Sequence, residues 1–296
     1  MSKRIPLILI VCFLLFEARV IYVFPNRQAF AMAITGDSKC SFSRTMESQA
    51  SVRRIRAVTE QMAHATRLIR QEDGFQLWDT PRGRYWMNAD VPVLPPQFAL
   101  VLSEQENRIY GEGEHFVHTG DVVLDCGADY GTFTRSALNA GASLVVAIEL
   151  APGKDICLRR TFEQEIRTGH VIVVPKGVWN KPDFLRLYRD SVVQHKTADG
   201  PVVPLVTIDQ IVKDLKLPRV DFIKMDIEGA EKQALEGGHE TISKYHPRMA
   251  IATEHLPDDP EKIPQVIRSI APEYKTACGP CEYADGHIRP QVLYFY

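Results

Sequence analysis

Apolar and polar positions follow different rhythms in successive parts of the chain, and each rhythm predicts a different element. Residues 5–16 form an unbroken apolar run behind Lys3 and Arg4. The run is signal-like in length and too short to cross a bilayer alone; residues 20–24 extend it if Glu17 and Arg19 pair or snorkel, so residues 1–30 are expected to be an uncleaved signal-like or membrane-anchor segment. Residues 31–50 are largely polar and unpatterned, as a linker would be. Then Val52, Ile55, Val58, Met62, Ala65 and Leu68 recur at spacings of three and four, predicting an amphipathic helix over 51–71 with Arg53, Arg54, Arg56, Arg67 and Arg70 mostly on its solvated side. Residues 75–87 predict a β-hairpin turning at Thr80-Pro81-Arg82-Gly83, and with the helix they make an extension spanning 51–110.

From residue 111 a single larger domain is expected to run to residue 296. Short β-rich runs at 122–125, 144–149, 170–174, 221–225, 249–254, 274–277 and 292–296 alternate with helical stretches at 132–140, 156–168, 208–216 and 230–244. That alternation is how an α/β fold with a mostly parallel sheet and helices on both faces reads. With 45% hydrophobic and 24% charged residues the 296-residue chain can bury such a core, and a net charge of −2 gives none of the basic footprint of a nucleic-acid binder. The six cysteines are scattered, and most read as free thiols. Cys278-Gly279-Pro280-Cys281 has the spacing of a redox dithiol, but too little chain follows for the long helix such a dithiol needs, and a connection between two late strands accounts for it better.

The chemistry is concentrated where the first strand ends, at Asp125-Cys126-Gly127-Ala128-Asp129-Tyr130-Gly131. Ligands of open α/β sheets bind at such strand ends. Gly127 and Gly131 permit close backbone approach, the following helix N-terminus favours a carboxylate, and Asp125 adds a local negative charge, a combination suited to an amino-acid moiety. Glu149 ends the second strand eighteen residues after Gly131, placed to accept the hydroxyls of a ribose. Asp129 and Thr132 stand where a dinucleotide fingerprint needs glycine, and no phosphate-cradling Walker loop occurs.

The ordered set Leu124-Asp125-Cys126-Gly127-Ala128-Asp129-Tyr130-Gly131-Thr132-Phe133-Thr134, Ala147-Ile148-Glu149, Thr207-Ile208-Asp209 and Asp221-Phe222-Ile223-Lys224-Met225-Asp226-Ile227-Glu228-Gly229-Ala230-Glu231 resembles the FkbM family of S-adenosylmethionine (SAM) dependent methyltransferases. The resemblance covers about residues 111–254. It implies a Rossmann-like class I methyltransferase fold with an added antiparallel seventh strand, SAM as cofactor, and O-methylation. Asp125, Gly127 and Gly131 would line the methionine end, with Tyr130 inside the same turn, and Glu149 would hold the ribose. Asp129 stands where members often have Asn, and Tyr130 where they have Val or Ile.

Methyl transfer from a sulfonium needs alignment and the management of one proton. Asp226 is the expected base, with Glu228 beside it and Lys224 orienting a carboxylate; Glu254 and His255 end the neighbouring strand, His255 being the alternative base. A divalent cation held by these groups is a less favoured route, and no metal is assigned. The acceptor is expected to be a small molecule or carbohydrate, met by the loops at 89–118 and 180–203. Because SAM is made in the cytosol, the expected arrangement is a membrane-anchored chain with a cytoplasmic catalytic domain, or else a soluble one. A SAM-binding sensor without turnover and a redox protein using Cys278 and Cys281 are the rival functions.

Overall fold

The computed structural model describes residues 27–36, 38–89, 95–187, 200–284 and 286–296. Most of the expected anchor segment therefore lies outside the described residues, and among those described no helix is long and apolar enough to cross a membrane. Helix α1 (Arg27–Thr35) packs on α2 (Phe42–Ala65), so much of the expected linker is helical. The buried residues of the first half of α2 are Thr45, Ser48 and Ser51, which carry no apolar period. Thr45 Oγ1 donates to the Ser41 carbonyl and Ser48 Oγ to that of Thr45, so these hydroxyls are satisfied within the helix and the face can pack closely.

The helix stops at Ala65 instead of running to residue 71, because Thr66 turns the backbone extended. Strand β1 (Arg67–Glu72) then pairs antiparallel with β2 (Phe75–Thr80), which turns into β3 (Gly83–Asn88). The hairpin is where the sequence places it; β1 leaves no periodic trace in the sequence because all of its residues are exposed and none reports a buried face. Arg67 and Arg70 thus sit on a strand, Arg70 lying 5.2 Å from the centre of the Trp86 ring. Helix α3 (Pro95–Glu106) occupies part of the expected loop 89–118. Phe98 and Leu102 of α3, Tyr85 and Met87 of β3 and Met62 of α2 share one core with Tyr130 and Cys157, so the extension is fused to the larger domain.

In chain order that domain comprises β4 (Val122–Cys126), α4 (Thr132–Asn139), β5 (Leu144–Ile148), α5 (Lys154–Thr161), α6 (Glu163–Arg167), β6 (Val171–Val174), β7 (Gly177–Val178), β8 (Asp183–Arg186), β9 (Val202–Val206) and α7 (Ile208–Asp214). It continues through β10 (Phe222–Met225), α8 (Glu231–Glu236), α9 (His239–Tyr245), β11 (Arg248–Ala252), α10 (Asp259–Ile270), β12 (Thr276–Cys278), β13 (Cys281–Ala284), β14 (His287–Pro290) and β15 (Val292–Phe295). All seven expected strands join one sheet in the order β12-β15-β11-β10-β4-β5-β6, and β15 runs antiparallel to both of its neighbours. This is the α/β, Rossmann-like class I methyltransferase sheet with its reversed seventh strand.

The central strands are buried on both faces, which is why they read as continuous apolar runs. Val122, Leu124 and Cys126 pack with Ile223 and Met225 under α7 to α10, while Val123, Val145 and Phe222 pack under Phe133 and Ala137 of α4. The expected helices at 156–168 and 230–244 are each broken, the second at Gly237-Gly238. A Cβ on Gly237 would overlap the Trp179 carbonyl, so close backbone contact with the β7 exit sets that break. The small sheet β7-β9-β8 fills part of the expected loop at 180–203.

Gly127 has φ +80° and Gly131 φ +88°, conformations that L side chains rarely adopt. A Cβ on Gly127 would overlap the Asp226 carbonyl oxygen, and one on Gly131 would overlap the Phe162 ring. These glycines are therefore required by the packing of the β10 exit and of the α5–α6 junction, before any ligand is considered.

Cys278 ends β12 and Cys281 opens β13, so the CxxC segment is a strand-to-strand connection as expected. The expectation of mostly free thiols fails at Cys281, which forms a disulfide with Cys40, 241 residues away, while Cys126, Cys157 and Cys278 are free. The bond closes a satellite core of Ala29, Met32 and Ile288, tying the α1–α2 junction to the β13–β14 hairpin. Peptide mapping under non-reducing conditions should recover Cys40 linked to Cys281 with Cys278 alkylated, and Cys40→Ser should lower stability by about 2–5 kcal/mol. Alkylation of Cys40 and Cys281 along with Cys278 in the native oxidised protein would contradict the pairing. Gly127→Ala should cost about 3 kcal/mol or more in urea unfolding, since strain and backbone overlap coincide there.

Candidate functional site

The carboxyl ends of β4, β5, β10 and β11 open into a cavity of about 660 Å³, a size that suits a small-molecule ligand. The turn after β4 forms one wall through Gly127, Ala128 and Asp129, and Glu149 follows β5. At the other end the lining includes Glu104, Asp226, Glu228, Glu254 and His255. Of the ten residues the sequence singles out, Gly127, Glu149, Lys224, Asp226, Glu228, Glu254 and His255 line this one cavity, whereas Asp125, Tyr130 and Gly131 lie behind its wall.

Asp125 is fully buried; its Oδ2 accepts from Thr134 Oγ1 at 2.6 Å, and its Oδ1 faces the Lys224 ammonium at 3.5 Å. Lys224 also donates to the Gly127 carbonyl at 2.7 Å. The sequence suggests that Lys224 pairs with one carboxylate and orients it; the carboxylate it meets is Asp125, and together they brace the glycine turn. Burial pushes the Asp125 carboxyl up in pKa against the pull of Lys224 and Thr134. Burial works against the Lys224 ammonium too, but the charges of Asp125 and Asp226 outweigh it and hold its pKa above the usual value.

Glu149 is nearly buried, its Oε2 accepting from the Asp129 amide and its Oε1 from the Ala151 amide, both at 2.8 Å. Each carboxylate oxygen can take a second hydrogen bond. Lys154, from the first turn of α5, pairs with Asp129 at 2.8 Å and lies 5.5 Å from the centre of the Tyr130 ring.

At the acidic end Asp226 is held from two sides. Tyr110 donates to its Oδ2 at 2.6 Å, and His255 Nε2 lies 3.4 Å from its Oδ1. His255 Nδ1 lies 3.1 Å from Glu231 Oε1, close enough for an ion pair but without hydrogen-bond alignment. Glu228 is exposed, at φ +58°, with Oε2 3.8 Å from His255 Nε2. Burial disfavours the imidazolium, yet Glu231, Asp226 and Glu228 together raise the His255 pKa to about 9. The surrounding carboxylates thus favour the imidazolium, which counts against His255 as the alternative base expected. Burial, with the charges of Glu282 and Asp226, raises Glu254 to about 7.

Sequence reasoning missed Glu104, Tyr110, Lys154 and the role of Glu231. Glu104 and Tyr110 belong to the extension, and nothing local marks a residue that reaches a site across more than a hundred positions. Burial, then the charges of Asp226 and Glu254, raise Glu104 to about 8. Glu231 has no exposure, its Oε1 accepts from the Ile227 amide at 2.9 Å and its Oε2 has no partner. In the sequence Glu231 is one more acid at the start of a helix, and only the fold shows that it backs His255.

Among solved structures, the chain is similar to methyltransferase FkbM from Methylobacillus flagellatus KT, with 22% identity and a TM-score of 0.48 over 86% of this chain and 62% of that one. It spans less than two thirds of that protein's length. It is also similar to TYW2 of M. jannaschii, determined in complex with AdoMet (15% identity, TM-score 0.41, 77% of this chain and 86% of that one). A third likeness is to Trm5b from Pyrococcus abyssi (15% identity, TM-score 0.38, 78% of this chain and 55% of that one). No curated protein matches the chain. The family model described as "Methyltransferase FkbM domain" matches residues 125–279, just over half of the chain and all of the strands around the cavity from the end of β4 to β12, and the chain belongs to that methyltransferase family.

Proposed function

We propose that this chain transfers a methyl group from SAM to a hydroxyl of a small-molecule or carbohydrate acceptor. The observation that carries the reading is that one cavity joins the glycine turn and Glu149 to a cluster of acids around His255. The residues fit the cofactor. Glu149 keeps hydrogen-bonding capacity for ribose hydroxyls, and Thr132 and Phe133 line the cavity from the first turn of α4, where amides have no intrahelical acceptor and suit a carboxylate. When bound, SAM supplies an electrophilic methyl on a sulfonium.

Asp226 is positioned to receive the acceptor hydroxyl, with Tyr110 and the His255 cation fixing its orientation. SAM would supply the methyl and take back the electron pair of its sulfur–carbon bond, which leaves this chain to hold the acceptor and to manage one proton. The hydroxyl proton passes to a carboxylate of the cluster, and Glu254 has the affinity suited to hold it near neutrality. Lys224 takes no part in this step; it holds the turn.

The rival redox reading loses its dithiol, since Cys281 is bonded to Cys40 and not to Cys278. That disulfide also favours an oxidising compartment and weighs against the cytoplasmic placement expected from where SAM is made. Membrane association through residues 1–30 remains an expectation about a segment that is mostly not described.

Calorimetry on the folded chain should show binding of SAM and of its demethylated product, and Glu149→Gln should weaken both about tenfold or more, roughly 1.4 kcal/mol. No heat with either ligand removes the function. Asp226→Asn should lower methyl transfer from labelled SAM to a responsive metabolite or glycan extract by about a hundredfold. Its SAM affinity should be unchanged, and full turnover would take Asp226 out of the mechanism.

Glu104 generates a pH dependence. Its folded pKa of about 8 lies above its ordinary value of 4.5, so the folded state binds the extra proton. Its contribution to stability is complete below the ordinary value and disappears as pH rises through about 8. Thermal melts should therefore fall between pH 5 and 8, and Glu104→Gln should flatten that decline. An unchanged slope in the variant would show that Glu104 ionises freely.

A further inference from the structure

The acidic end of the cavity holds more than a base needs. One oxygen of each inner carboxylate is already committed: Asp226 Oδ2 to the Tyr110 hydroxyl at 2.6 Å, and Glu231 Oε1 to the Ile227 amide at 2.9 Å. Asp226 Oδ1 and Glu231 Oε1 face the two ring nitrogens of His255 at 3.4 and 3.1 Å, which leaves Glu231 Oε2 as the carboxylate oxygen with no contact of its own. Glu231 is wholly buried, and its Oε2 has no hydrogen-bond partner, nor does His255 Nδ1 beside it. A buried carboxylate oxygen without a partner costs free energy unless something positive occupies that space.

We propose that Asp226, Glu231 and His255 bind one first-row divalent cation of the manganese or zinc type. One ligand atom from each residue lies within 4.8 Å of the other two, and His255 Nδ1 is 3.1 Å from Glu231 Oε1. Donors about 2.1 Å from an ion stand about 3.0–3.4 Å apart, a span the His255 Nδ1–Glu231 Oε1 edge already has, and that oxygen can keep the Ile227 amide on its second lone pair; Asp226, whose Oδ1 faces the other ring nitrogen, would complete the set by rotating its side chain. Two carboxylates with one imidazole make a mixed hard and borderline set, which suits Mn²⁺ or Zn²⁺ better than Ca²⁺ or Cu⁺. Tyr110 and the Ile227 amide would act as the outer partners that orient the ligating carboxylates.

The site is closed behind by Glu231 and open in front, where Asp226 and the exposed Glu228 face the cavity. An ion there would present its free coordination positions to an acceptor hydroxyl, lower that hydroxyl's pKa and fix its oxygen, which deepens the role proposed above for Asp226 and rests on that reading. Without the ion a proton on His255 supplies the balancing charge, and the two compete for the same imidazole.

The test reads binding without turnover, so its failure is separate from failure of methyl transfer. The full chain, stripped with EDTA and desalted, is titrated with MnCl₂ while the EPR signal of free Mn²⁺ is followed, and ZnCl₂ is then added as competitor. The expected result is one Mn²⁺ per chain, displaced by Zn²⁺, with affinity reduced tenfold or more in both Glu231→Gln and His255→Gln. Circular dichroism and a cooperative thermal melt on each variant show that it is folded; where Glu231→Gln is not, His255→Gln decides. The proposal is overturned if neither ion binds at millimolar concentration, or if affinity is unchanged in a folded variant. In either case the SAM binding of the unaltered chain is untouched.

Discussion

One buried ammonium organises the site. Lys224 stands beside Asp125 in the register of β10 on β4, and it reaches from there to the Gly127 carbonyl. Neighbouring positions on the same strands, Ile223 and Leu124, point into the apolar layer on the other face of the sheet. A slip of one residue would drive the ammonium into that layer, so the pair holds the two central strands to a single register. Removing one partner of a buried pair typically costs about 3–5 kcal/mol, whereas an apolar replacement of both can be neutral. What the pair contributes is therefore placement: it puts the glycine turn and the Asp226 loop at fixed positions on the same sheet edge.

The turn depends on that placement from the other side as well. Gly127 meets the Asp226 carbonyl at a distance no Cβ allows, and the Asp226 amide donates back to the Cys126 carbonyl at 3.1 Å. The glycine-turn half and the acid half of the cavity are thus joined through backbone, not through a flexible side chain. This is why Gly127 and Asp226, about a hundred residues apart, act as one structural unit. It also changes the meaning of the glycines: their need is already complete in the packed chain, and any ligand approaches a turn built for other reasons.

Legibility in the sequence follows burial. The sheet can be read because its central strands are apolar on both faces, and the turn can be read because two glycines and an acid close an apolar strand, although what the glycines make room for is packed chain. The first half of α2 escapes because its inner face is Thr45, Ser48 and Ser51, and β1 escapes because it has no inner face. The Cys40–Cys281 bond and the contact of Tyr110 with Asp226 escape for a different reason: they are long-range pairings whose partners carry no local mark. His255 reads as an imidazole near a site, but its charge state depends on Glu231, which only the fold brings underneath it.

The acidic end of the cavity consequently draws on two parts of the chain. The turn, Glu149, Asp226 and His255 all fall within residues 125–279, the part that matches the family. Glu104 and Tyr110 come from before it, and Glu282, whose charge bears on Glu254, comes from after it on the β13–β14 hairpin. The disulfide fastens that hairpin to the α1–α2 junction, and the shared core of Met62, Phe98, Leu102 and Tyr130 fastens α3 to the wall behind the glycine turn. On the proposed reading, acceptor choice is set where Glu104 and Tyr110 meet Asp226, at the seam between residues 125–279 and the segments that flank them.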